Sequence, residues 1–193
     1  RLHVEPHLRV KHEMAQVNFK VQAFDDLAAQ GREIRIQAVA LVIPTKAQFT
    51  VAADWAGVSH DWTDETNVPP TGIVWETERD TVYLPHENTP EEFGSTYQME
   101  NAMFNPEPGV SDPKAEPMKI GTQLLVPPVD EMGVIIHYRL ITTRPDDLIP
   151  SGSLFTTRYA NLHFEGGFQA GKQHEVLLKV YGPQRVDLEI DGL

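Results

Sequence analysis

Gly166-Gly167-Phe168-Gln169-Ala170-Gly171-Lys172-Gln173 comes within one residue of the phosphate-cradling loop G-x-x-x-x-G-K-[ST]. The hydroxyl that would bind the nucleotide's metal is missing, because Gln173 stands in its place. Such a loop must also open a helix, so that amide dipoles converge on the anion. Here His174, Val176, Leu178 and Val180 follow at every second position, which predicts a Gly-rich turn leading into a strand. His12-Glu13-Met14-Ala15-Gln16 is a second near-match, to the zinc motif H-E-x-x-H. Gln16 replaces the second histidine, and on a strand positions 12 and 16 stand about 13 Å apart. His3, Glu5 and His7 share one face of an alternating segment at about 7 Å spacing, too far apart to grip one metal without a bulge. No nucleotide, metal or other cofactor is therefore expected.

Three pairs of carboxylates, Asp25-Asp26, Asp130-Glu131 and Asp146-Asp147, have the residue type that glycosidases use. All three fall in turn-forming stretches, where Asp bonds its own backbone, so turn capping is the expected role. None of the five serines lies in G-x-S-x-G. No catalytic residue is expected, and the chain is read as non-enzymatic. Trp55, Trp62 and Trp75, with Tyr83 and Tyr97, could form an aromatic platform for sugar rings, or could anchor their segment by burial.

The composition narrows the partners. With 28 acidic and 16 basic residues among 193, the net charge is −12, which leaves no positive footprint for nucleic acid. No apolar run reaches the roughly 20 residues that span a bilayer, and no basic-then-apolar leader starts the chain, so a soluble, mature or trimmed chain is expected. There is no cysteine, hence no disulfide and no sulfur-ligated zinc. The charge is uneven: residues 54–118 hold 14 acidic and 2 basic side chains, 8 of the 15 prolines and all three tryptophans, while the remainder is neutral.

The elements that must position these groups are strands. Leu2, Val4, Leu8 and Val10 alternate with polar residues, and Pro6 places that segment at an edge. The phase slips by one at Met14-Ala15, and Ala15, Val17, Phe19, Val21 and Ala23 then alternate. Residues 34–43 are apolar on both faces, which predicts an interior strand. Residues 48–53 continue extended. Within 54–118 only 73–75 and 81–84 are predicted as strands, and 86–117 as a surface loop of low regularity, the most protease-sensitive part of the chain. Alternation returns over 118–126, 134–140, 174–181 and 186–190, with 154–164 partly extended. No ten-residue window shows a helical stripe. The prediction is an all-β, antiparallel β-sandwich forming a single domain over 1–193, with a frame of 1–53 and 119–193 and a long irregular acidic excursion over 54–118.

Three stretches resemble the fimbrillin-like family of Bacteroidales surface proteins, the fimbrium subunits and their relatives. Val10-Lys11-His12-Glu13-Met14-Ala15-Gln16-Val17-Asn18-Phe19 is similar to the family's apolar-x-His-x-x-Ala-x-Val strand, and Leu124-Leu125-Val126-Pro127-Pro128 to its leucine-rich strand before a proline. Phe168-Gln169-Ala170-Gly171-Lys172-Gln173-His174 is similar to its F-x-A-G-K-x-Y turn, with His174 where an aromatic is usual. The resemblance covers about residues 8–190 and is to the C-terminal of two transthyretin-like, Greek-key sandwiches. It implies a structural or adhesive subunit of a fimbrium-like assembly at the outer membrane's extracellular face, whose partners are other fimbrial subunits or host and glycan ligands. It further implies polymerisation by strand exchange, for which Leu2, Val4, Leu8 and Val10 form the candidate strand. A carbohydrate-binding module using the Trp-rich excursion is the alternative, and a hydrolase sited there a weaker third.

Overall fold

Strand β1 (Ala15–Ala23) turns Ala15, Val17, Phe19, Val21 and Ala23 inward, each almost wholly removed from water, and leaves the residues between them partly exposed. This is the pleat that the alternation predicts. The computed structural model describes residues 13–49, 73–85, 102–143, 153–163, 165–182 and 185–191. Leu2, Val4, Leu8 and Val10 lie outside them, as do Trp55 and Trp62.

The described elements are β2 (Arg32–Pro44), β3 (Ala47–Phe49), β4 (Ile73–Trp75), β5 (Arg79–Tyr83), β6 (Gly109–Val110), β7 (Met118–Val126), β8 (Glu131–Thr142), β9 (Ser153–His163), β10 (Gln173–Gly182) and β11 (Arg185–Asp191). Among the described residues there is no helix. One sheet has the order β11-β10-β1-β7 and the other β5-β2-β8-β9, with β6 beside β2. A short ribbon of β3 and β4 extends from the β2–β5 hairpin. The fold is an all-β sandwich.

The two sheets share one core. Val17, Phe19, Val176 and Leu178 from the first pack with Ile36, Val39, Leu41, Val134, Ile136 and Tyr138 from the second. Full burial of each large side chain contributes about 1.5–3 kcal/mol. Tyr138 is completely buried, and its phenol oxygen accepts a 3.4 Å hydrogen bond from Arg158 Nε.

Strand β2 carries a bulge within its apolar run. The register with β8 shifts between Ile36 and Ala38, so Ile34 and Ile36 point inward before Gln37, and Val39, Leu41 and Ile43 after it. Ala38 and Ala40 are thereby turned to the outer face.

Two expectations need correction. Strands β1 and β10 run parallel, pairing Val17 with His174 and Ala23 with Val180, so the sandwich is not antiparallel throughout. A parallel pair needs a long crossover rather than a hairpin, and here the whole second sheet lies between the two strands in sequence. The C-terminal part of the expected loop, 102–117, is ordered and docked. Ala102, Phe104 and Val110 are buried, the Phe104 amide donates to Gln37 O at 2.7 Å, and the Ile36 amide donates to Pro108 O at 2.9 Å. Glu107 Oε2 accepts from Arg139 Nε at 2.6 Å with both side chains largely buried. This segment seals the part of β2 that β5 does not reach, since β5 pairs only with 40–44 and β6 with Ile34 and Arg35. Backbone groups on a buried edge must find partners, and 102–110 supplies them.

Candidate functional site: the Trp75 cleft and the sheet edges

Beyond Pro44 the β2–β5 hairpin continues as the β3–β4 ribbon, which pairs Ala47 with Trp75 and Gln48 with Val74. Thr45 and Lys46 on one side face Glu76, Thr77 and Glu78 on the other, an extra residue that bends the ribbon. The Glu76 amide donates to Lys46 O at 2.9 Å across that bend. An open cleft of about 410 Å³ lies here, lined by Gln48, Val74, Trp75, Glu76, Thr77 and Glu78. Trp75 is half-buried, and among the described residues no acceptor reaches its buried Nε1.

Acidic neighbours set the field at this cleft. Lys46 Nζ lies 3.3 Å from Glu78 Oε2, and the Thr45 hydroxyl donates to Asp80. The hydrogen bond from Lys46 to Glu78, then the charges of Glu78, Asp80 and Glu76, hold the ammonium above the ordinary lysine range. The arrangement offers part of an indole ring, an amide, a hydroxyl, carboxylate acceptors and the apolar Val74. That set complements a polyhydroxylated ligand, whose hydroxyls both donate and accept.

Four described strands border the sheets, and three carry features that discourage pairing with another chain. Strand β11 holds Arg185, Asp187 and Glu189; Arg185 Nη2 meets Asp187 Oδ2 at 2.7 Å, and Lys179 pairs with Glu189. Strand β7 is interrupted at Gly121 (φ 61°), where its register with β1 breaks, and carries Lys119. Strand β5 has Arg79 and Asp80. Charges, bulges and short length are the usual guards of a sheet edge.

Strand β9 is the least guarded, with Arg158 as its one full charge. Its eleven residues contain no Lys, Pro, Asp or Glu, and among the described residues it pairs only with β8. Leu154, Phe155 and Tyr159 are 61%, 64% and 61% exposed. Phe155, Thr157 and Tyr159 project to the outer face, the Thr157 hydroxyl lying 3.0 Å from His137 Nδ1. None of these residues stands out in the sequence by type or spacing. The available signal was a strand whose only full charge is Arg158.

The near-match to a phosphate loop is a docked turn. The amides of Phe168, Gln169, Gly171 and Lys172 donate to Val129 O (2.8 Å), His174 Nε2 (3.3 Å), Met14 O (2.8 Å) and Gln169 O (3.1 Å). A phosphate would find those donors already engaged. Gly167 has φ 62°, and a Cβ there would meet Asp130 Oδ1 at 2.7 Å, so glycine is required for the turn to close on the β7–β8 connection. Lys172 then leads into β10, as the period of two predicted. His12 lies outside the described residues, and Gln16 of the zinc near-match donates from Nε2 to Gln123 Oε1 at 2.6 Å across β1 and β7. Asp26 Oδ1 accepts from the Ala29 amide at 2.8 Å, the turn-capping role expected of it. His3, Glu5, His7 and Asp146-Asp147 lie outside the described residues.

His174 is buried and His137 is partly buried. Burial, and then the charge of Lys172, lowers the pKa of His174, while burial lowers that of His137. Both are neutral in the folded protein at pH 7.

No family model matches the chain, and no curated protein matches it. Among solved structures it is similar to a fimbrial protein from Bacteroides vulgatus ATCC 8482, with a TM-score of 0.54 and 15% sequence identity. The likeness covers 94% of this chain and 54% of that one, so the chain spans about half the length of the protein it matches. At the level of fold, this agrees with the fimbrillin-like resemblance of the three sequence stretches.

Proposed function

We propose that this chain is a non-enzymatic structural subunit of a fimbrium-like bacterial surface assembly, exposed on the extracellular face of the cell. The observation that supports this reading best is the shared fold with a fimbrial protein over 94% of the chain. The partners are other subunits of the same assembly. Assembly proceeds by strand exchange, in which backbone hydrogen bonds set register and alternate side chains set fit. Residues 2–10 are the exchanged strand, because Leu2, Val4, Leu8 and Val10 alternate with polar residues and Pro6 suits an edge. Immunogold labelling of intact producing cells tests the reading: gold along filaments supports it, and signal that appears only after lysis contradicts it.

A second reading is favoured by one specific observation, the open cleft in which the half-buried Trp75 lies beside Gln48, Thr77, Glu76 and Glu78. In that reading the ribbon binds a glycan, with Trp55 and Trp62 completing an aromatic platform. A glycan array probed with the wild type and with Trp75→Ala tests it. Binding lost in the variant supports the reading, and an array silent for both rejects it.

A further inference from the structure

We propose that β9 is a homotypic contact, pairing antiparallel with β9 of a second copy about a two-fold axis through Thr157. The contact needs neither residues 1–12 nor the strand exchange discussed above.

The starting point is the weakly guarded edge. An edge strand offers alternate unpaired N–H and C=O groups to any neighbour, and β9 adds to this exposed Leu154, Phe155 and Tyr159 with no acidic residue, lysine or proline. The occupant is identified by the order of side chains along the strand. With Thr157 opposite Thr157 of the second copy, Phe155 stands opposite Tyr159, and Tyr159 opposite Phe155. Aromatic cross-strand pairs of this kind stabilise an antiparallel ladder. On the opposite face Leu154 meets Ala160 and Arg158 meets the Thr156 hydroxyl. Centring the axis on Arg158 instead would put two guanidinium groups opposite each other, which is unfavourable. An axis perpendicular to the sheet joins the two four-stranded β5-β2-β8-β9 paths into one continuous sheet.

The area suits a weak, specific contact. Each exposed aromatic offers on the order of 100 Å². With Leu154 and the strand backbone, two copies approach the lower limit of specific interfaces, about 1,000 Å². The net charge of −12 on each copy opposes approach, so added salt strengthens the contact by screening. Because a two-fold contact closes on itself, it cannot extend a polymer, and it joins two subunits or two polymers side by side.

The absence of cysteine allows a direct test of register. Opposite residues in an antiparallel pair have Cα atoms about 4.5–5.5 Å apart, within the roughly 4.4–6.8 Å that a disulfide spans. Thr157→Cys is therefore expected to form a disulfide dimer on mild oxidation. Phe155→Cys alone is not, since its two copies are offset by four residues, about 13 Å. An equimolar mixture of Phe155→Cys and Tyr159→Cys is expected to give the mixed dimer. Sedimentation equilibrium supplies the second measurement: Phe155→Lys with Tyr159→Lys is expected to weaken self-association about tenfold or more, because like charges then lie across the axis. These side chains are exposed, so circular dichroism should show the variants folded. The Val4→Asp, Leu8→Asp variant should keep the 157 cross-link, which separates this contact from strand exchange. Equal cross-linking at 155 and 157, no cross-linking at 157, or a Lys variant that associates as the wild type does would each overturn the proposal.

Discussion

Tyr159 on β9 lays its phenol across Gly133 on β8, so closely that a Cβ on residue 133 would lie 2.6 Å from the phenol oxygen and 3.0 Å from Val42 Cβ. Gly133 and Val42 are paired on the outer face of the sheet, and Tyr159 pairs with Ile135 one step along. The absent side chain thus sets where the exposed aromatic of the weakly guarded edge can lie.

Gly133→Ala is expected to cost about 1–3 kcal/mol, as overpacking does, read as a lower urea midpoint with an unchanged slope. In a Tyr159→Ala background the cost should shrink, leaving the clash with Val42. An equal cost in both backgrounds would show that the two residues are not coupled.

Phe104→Ala is expected to destabilise the protein by about 3–5 kcal/mol, the usual cost of emptying a buried aromatic site, because residues 102–110 complete the side of β2. Leu125→Ala, at a position 56% exposed, should change stability by no more than about 0.5 kcal/mol. Limited proteolysis should likewise spare 102–117. Early cleavage there, or a neutral Phe104→Ala, would return the segment to the status of a surface loop.

Acid should destabilise the fold through His174 and His137, whose pKa values are lowered in the folded state. Below the unfolded value of about 6.5 the unfolded chain takes up protons that the folded chain resists. This stability is complete above about pH 7 and is lost as the pH falls through 6.5 toward the folded values. His174 Nε2 accepts the Gln169 amide at 3.3 Å, so protonation there sets a donor against a donor. The cost is about 1–3 kcal/mol. His174→Gln should flatten the profile of thermal midpoint against pH between 7 and 5, and an unchanged profile would assign the acid sensitivity elsewhere.

Strands with one buried face were legible in the sequence. Ala15 to Ala23, His174 to Val180 and Val186 to Ile190 alternate because one face packs and the other meets water. The bulge at Gln37 was hidden, since a phase shift inside an apolar run looks the same as two apolar faces. Phe104 and Val110 gave no signal because each enters the core from an irregular segment that follows no period. The β1–β10 pairing depends on residues more than 150 positions apart, a relationship that local pattern does not encode. Of the candidate sites, the Trp75 cleft is singled out in the sequence by residue type alone. The β9 edge was missed because exposure of Phe155 and Tyr159 is set by what does not pack on them.

Polymerisation through residues 2–10 is tested most directly by sedimentation velocity on the wild type and on Val4→Asp with Leu8→Asp. Burial of each large apolar side chain in an exchanged strand contributes about 1.5–3 kcal/mol, and a carboxylate in its place removes that gain. The wild type should form species larger than a dimer, and the double variant should remain folded by circular dichroism and stop at monomer and dimer. A folded variant that polymerises as the wild type does, an unfolded variant, or a wild type that never exceeds a dimer would contradict strand exchange by this segment.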